Sequence, residues 1–223
     1  VSVSDAGIGG ADGAAIQGGA FNVADSTLTL TGVTVTGGTV AAGSAIYASG
    51  SSVTINDSTL LGGTAIGNGG AIYGDNSVFT LENASIIGNS AVEGAGIYLA
   101  GGVLSATGTS FSSNTATTNG GAIAGTGATI TLQECEFVNN TATAGNGGAV
   151  YNAGGKLTVT NSFFVGNSST NGDGGAIYNN AAGSLSVDGA FLLNSAVNGA
   201  AIYNVSGSLT VSGTFMGNTA TNN

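Results

Sequence analysis

A right-handed parallel β-helix wound from a single chain is the all-β fold that this sequence predicts, and three observations predict it. A phrase close to GGAIY recurs at 69–73, 94–98, 120–124, 147–151, 174–178 and 199–203. A second phrase, F-x-x-N, keeps the same period as FSSN, FVNN, FVGN, FLLN and FMGN. Six or seven residues before it lies a segment that alternates apolar and polar residues, as in VTI at 53–55 and LTV at 157–159 and 209–211. Alternation with period two and β-branched residues favour short strands, and no window sustains a helical period. One such repeat cannot bury its apolar face alone, whereas stacked repeats can. The expectation is one β-solenoid domain over 1–223, with about 8 coils of ~26 residues and three short strands per coil.

The phrases place each element. In GGAIY the column Ile46, Ile72, Ile97, Ile123, Val150, Ile177 and Ile202 steps by 25 to 27 residues, and Ile16 extends it with a longer first step of 30. The two glycines before it permit positive φ and a corner without a Cβ clash. A second inward column runs Ile8, Val35, Leu60, Ile86, Phe111, Phe137, Phe164, Phe191 and Phe215. Strands stacked ~4.8 Å apart make a rod roughly 40 Å long.

Two polar columns accompany the apolar ones. Asn89, Asn114, Asn140, Asn167, Asn194 and Asn218 recur three residues after the second column. An internal amide ladder, each side chain bonding its copies above and below, is expected ahead of solvent-facing turn asparagines. All six tyrosines, Tyr47, Tyr73, Tyr98, Tyr151, Tyr178 and Tyr203, follow the GGAI column by one place, with Ala124 as the gap. Strand alternation turns them outward, so an external aromatic ladder is expected. Cross-coil stacking accounts for it, and a strip for carbohydrate or a neighbouring rod is the other reading.

Composition narrows the partners. Only Lys156 is positive against eleven carboxylates, a net charge of -10, and His is absent. Phosphate neutralisation needs clustered Lys and Arg, so no nucleic acid is expected as a partner. No stretch approaches the roughly 18 to 20 apolar residues of a membrane helix, so no membrane span is expected in this segment. No basic n-region and apolar h-region follow Val1, so any signal peptide is removed or lies outside the segment. Cys135 is the sole cysteine, which excludes an intramolecular disulfide. It falls in a column of small residues with Ser58, Ala84, Thr109 and Ser162, and reads as a packed thiol. Sequons stand at Asn56, Asn83, Asn139, Asn167 and Asn204; several are expected by chance in a chain this rich in Asn, Ser and Thr, and glycosylation of any would require a secreted setting.

With GGAI at 69–72, 120–123 and 174–177 beside FSSN, FVNN and FVGN, the chain resembles the repeat family of chlamydial polymorphic outer-membrane proteins. That family pairs GGA[I/L/V] with FxxN. The resemblance is strongest over 69–218 and weaker over 11–68, where GAAI, GSAI, TVTGG and TLLGG depart from the pattern. It implies a right-handed β-helix, an extracellular or cell-surface location and adhesin or passenger roles, usually ahead of a membrane-anchoring barrel.

Chemistry is sparse. Lyases on this fold use Arg or Lys with calcium, and hydrolases use clustered carboxylates at set separations. Here Arg and His are absent, Lys156 is solitary, and most acids fall in different coils. Glu134 and Glu136 share a strand parity but make too few oxygen ligands for calcium. No enzyme, cofactor or metal site is expected. Neither end carries a charged or Pro-bearing cap over the stack, and uncovered strands invite pairing. The leading expectation is a secreted structural subunit that stacks head to tail with itself into a filament, fibre or sheath. Val1, Val3, Ile8, Leu209, Val211 and Phe215 would form the interface. The alternatives are an adhesin binding host protein or glycan, and an ice-binding protein using Thr29, Thr31, Thr34 and Thr36.

Overall fold

The chain forms a right-handed parallel β-solenoid of about 8 coils. The computed structural model describes the backbone of residues 2–4, 7–180 and 183–222, and the side chains of 9–13, 15–180 and 183–222. Val1 lies outside the described residues, as do the side chains of Val3 and Ile8, whose backbones belong to the strands Ser2–Ser4 and Gly7–Gly9.

Three parallel sheets wrap the rod, of 15, 9 and 8 strands. The broad sheet holds both the alternating segments, such as Val78–Glu82, and the F-x-x-N segments, such as Ser110–Ser112. Toward the C-terminus the two fuse into single strands, Lys156–Val165, Ser184–Leu192 and Leu209–Met216. The eight-stranded sheet collects the Ile-Tyr segments, from Phe21–Ala24 to Ile202–Asn204. The nine-stranded sheet is built of short Thr-Ala or Ser-Ala segments such as Thr64–Ala65 and Thr115–Ala116. A typical coil thus has four strands on three faces, one more than the sequence suggests. The extra strand is two residues long in most coils, too short for alternation to register.

Register turns the sequence columns into physical stacks. Ile72 pairs with Ile46 and Ile97, Phe137 with Phe111 and Phe164, and Leu132 with Ala106 and Val159. One placement changes. The residue one coil before Ile46 is Phe21, not Ile16, which lies in Gly13–Gln17 of the nine-stranded sheet. The first step is then 25 residues, and the first coil's version of the phrase is GGAFN at 18–22. Aromatic Phe in place of Ile hid it.

The main core is a continuous file of these stacks, and a smaller cluster of Ala65, Ala91, Ala95 and Ala116 lies apart from it. Phe111, Phe137, Phe164 and Phe191 are fully buried, with centroids 4.6 to 4.7 Å apart and planes within 3° of parallel. Under the nine-stranded sheet the inward column is small after its first member: Val40 is followed by Ala65, Ala91, Ala116, Ala142, Ser169 and Ala196. The glycine pair has two separate jobs, as at Gly120 and Gly121. Gly120 sits at φ 64°, where a Cβ would collide with the Ile123 carbonyl, and a Cβ on Gly121 would collide with the Gly148 carbonyl of the next coil.

Candidate functional site

The asparagine column is a buried, directional ladder. Asn89, Asn114, Asn140, Asn167 and Asn194 are at most 1% exposed. In each, Nδ2 donates to the Oδ1 of the next coil, at 3.0 Å for Asn89 to Asn114, Asn114 to Asn140, Asn140 to Asn167 and Asn167 to Asn194. The same Oδ1 also accepts the main-chain N–H of the asparagine before it, as Asn140 Oδ1 does from Asn114 at 3.1 Å. The second amide proton goes back to a carbonyl of the preceding coil, from Asn140 to Phe111 at 2.9 Å. Such side chains are tolerable inside because every donor and acceptor is used.

The ladder's two ends differ. At its start Gly63 N–H donates to Asn89 Oδ1 at 2.8 Å, the main-chain bond that every link has, and the side-chain donor is missing because the residue is glycine. At its finish Asn218 Oδ1 accepts from Asn194, and Asn218 Nδ2 donates to Phe191 O at 2.8 Å. Among the described residues no acceptor stands below Asn218. A second ladder, unread in the sequence, runs from Asn152 to Asn179 to Asn204, each link 2.6 Å. Its signal was the Asn after Tyr in IYNN and YNA, which strand parity turns inward. Asn152 Oδ1 is buried without a partner because Gly125 precedes it in the column. A third polar file lies at the corner before the glycine pair. There Asn119 Nδ2 donates to Glu93 at 2.7 Å and Asn198 Nδ2 to Asp173 at 2.7 Å.

The tyrosines form two stacked runs on the outer face. Tyr47, Tyr73 and Tyr98 lie 5.0 and 5.3 Å apart, and Tyr151, Tyr178 and Tyr203 lie 5.4 and 5.5 Å apart. They are half-buried because each ring covers the next. Burial, then the neighbouring Tyr47 and Tyr98 and Asp75, raise the Tyr73 hydroxyl above its ordinary pKa, and burial with Tyr151 does the same for Tyr178. Ring faces inside the runs are occupied by other rings, so edges and hydroxyls are what this surface offers.

Hydroxyl rows separate by column. The row of Thr29 continues through Thr54, Thr80, Ser105, Thr131, Thr158, Ser186 and Thr210. The rows of Thr31, Thr34 and Thr36 do break: their successors include Glu82, Glu136 and Ile87.

Cys135 is fully buried, its N–H held by Ser162 Oγ at 3.1 Å and its thiol pointed at the carbonyls of Ala106 and Gln133. Burial pushes its pKa from 9.0 to about 11. A thiol held protonated in this way is a poor nucleophile. Among the described residues, no three His, Cys, Asp or Glu side chains converge where they could hold a metal ion. Among the described residues, no helix is long and apolar enough to cross a membrane.

Leu209–Met216 is the last described strand of the broad sheet. Leu185, Val187 and Phe191 are at most 2% exposed, whereas Leu209, Val211 and Phe215, one coil on in the same columns, are 40 to 45% exposed. The family model for the Chlamydia polymorphic membrane protein repeat matches residues 108–126 and 134–153. Each matched segment holds one F-x-x-N and the glycine-pair phrase that follows it, FSSN with GGAIA and FVNN with GGAVY. The chain is similar to that repeat over these two coils. No curated protein and no solved structure matches the chain.

Proposed function

We propose that the chain is a non-enzymatic structural rod of an extracellular or cell-surface protein, lengthened by the first coil of a second copy docking on the last coil of the first. The observation that carries this is that every coil docks on its neighbour through the same parallel columns, down to the strand Leu209–Met216. Its sequence LTVSGTFM has no charge, no Pro and no bulge, the devices that usually keep an edge from pairing. A coil laid on it would bury Leu209, Val211 and Phe215 and extend every ladder in the direction in which it already points. Contact between unlike ends does not close on itself, so it yields a filament.

Size-exclusion chromatography and negative-stain microscopy of the purified chain test this. Rods in multiples of the single length are expected. Val211→Lys, which places a charge in the joint, should return the protein to single rods without loss of its β circular-dichroism signal. A wild-type protein that stays monomeric at high concentration would sink the proposal.

The match to the chlamydial repeat supports a second reading, a surface passenger that binds host protein or glycan. A membrane-anchoring barrel encoded in the same gene would favour it.

A further inference from the structure

The period changes once in the C-terminal part of the rod, and a groove forms there. In earlier coils the alternating and F-x-x-N strands are separated by a bend residue at positive φ, Asp57, Asn83, Gly108 and Glu134 at 47° to 58°, and Asn161 keeps that conformation at 49° inside the fused strand Lys156–Val165. The next coil drops it. Thr160 pairs with Asp188 and Ser162 with Gly189, which leaves Asn161 without a counterpart, and the last coil keeps the shorter form. The bend therefore projects over a recess of 480 Å³, lined by Glu134, Asn161, Phe163, Asp188, Gly189 and Gly213 among others. Its floor is glycine by necessity: a Cβ on Gly213 would collide with the Gly189 carbonyl.

Phe163 is out of pattern in this wall. Its outward column reads Thr34, Thr59, Ser85, Ser110, Glu136, Phe163, Ala190 and Thr214. Every other member is hydroxylic, acidic or small, yet Phe163 is 50% exposed, and Ala190 beneath it leaves ring surface open. Three carboxylates belong to the same region. Glu134 and Asp188 line the recess, and Glu136 is the register neighbour of Phe163. Asp188 Oδ1 accepts from Ser212 Oγ at 3.1 Å, which steadies it.

We propose that this groove binds one basic side chain, an alkylammonium or guanidinium, presented by a protein partner. The ring face attracts a cation through its quadrupole, and the carboxylates supply charge and acceptors on either side of it. The chain's net charge of -10 draws cationic partners toward the whole surface, while the groove selects where the side chain seats. Gly213 and Thr214 of its lining belong to the strand Leu209–Met216, so binding is measured on Val211→Lys as well as on the wild type, which separates this proposal from end-to-end stacking.

Fluorescence anisotropy with a fluorescein-labelled Gly-Ser-Gly-Arg-Gly-Ser-Gly peptide tests it, in low salt, against the same peptide with Lys or with citrulline, the neutral isostere of Arg. The Arg and Lys peptides should bind and the citrulline peptide should lose about tenfold or more. Phe163→Ser, which restores the hydroxyl typical of its column, and Asp188→Asn should each weaken the Arg peptide about three- to tenfold. Glu82→Gln, an exposed acid outside the groove, should leave binding within twofold of wild type, and unchanged circular dichroism checks the fold of each variant. The proposal is overturned if citrulline binds as well as Arg, if Phe163→Ser has no effect, or if Glu82→Gln weakens binding as much as Asp188→Asn. It is also overturned if free N-acetylglucosamine displaces the Arg peptide and binds more tightly than it, which would make the recess a sugar site.

Discussion

At the scale of single residues, this protein buries polar atoms safely by repeating them. Asn140 uses both amide protons and its oxygen, so Asn140→Ala would orphan the N–H and Nδ2 of Asn114 and the carbonyl of Phe111. Unmade buried hydrogen bonds cost about 1–3 kcal/mol each, and the total for this variant is expected near the upper part of that range. Asn218→Ala, at the half-buried end, should cost distinctly less. Urea denaturation of the two variants compares them directly. Cys135 gives a pH signature. Its folded pKa, raised by burial from 9.0 to about 11, means that the folded state holds the thiol proton more tightly than the unfolded state. The stability linked to it is intact below pH 9 and is lost as pH climbs through about 11. Tyr73 and Tyr178, also raised, act in the same direction. The denaturation midpoint should therefore fall above pH 9, and Cys135→Ser, matching Ser58 and Ser162 of the same column, should reduce the fall.

At the scale of strands and stacks, aromatic files set the periodicity and can be edited. Phe137 is stacked on both faces and fully buried, so Phe137→Ala should cost about 3–5 kcal/mol. The outer tyrosine file is interrupted at Ala124, which is paired in register with Tyr98 and Tyr151. Ala124→Tyr would join the two runs and should raise the melting temperature, since aromatic pairs contribute ~0.5–1.5 kcal/mol each. These stacks were legible in the sequence because each inward residue repeats at nearly fixed spacing with similar chemistry. What escaped had a physical reason. The Ser/Thr-Ala strands are shorter than one alternation, Phe21 replaced an expected Ile, and the Asn152 ladder needs strand parity rather than a motif. The groove beside Phe163 arises from one deleted bend residue, visible only once register shows that Asn161 has no partner.

For the whole molecule, the rod grows by the same coil-on-coil docking from one repeat to the next, and the proposed function rests on that repetition. Two acidic copies repel each other, so end-to-end association should strengthen as salt screens a net charge of -10 on each. The joint can also be tuned by design of the ladder. The first coil offers Ala11 at the offset where later coils place asparagine, three residues after Ile8. Ala11→Asn would give Asn218 of the preceding copy an acceptor, and longer rods should result at equal concentration. Sedimentation velocity of the wild-type chain over a concentration series, at low and at high salt, tests the central claim most directly. The account predicts a mass distribution that shifts to ever larger, elongated species with concentration and with salt; a single sharp monomer boundary throughout would contradict it.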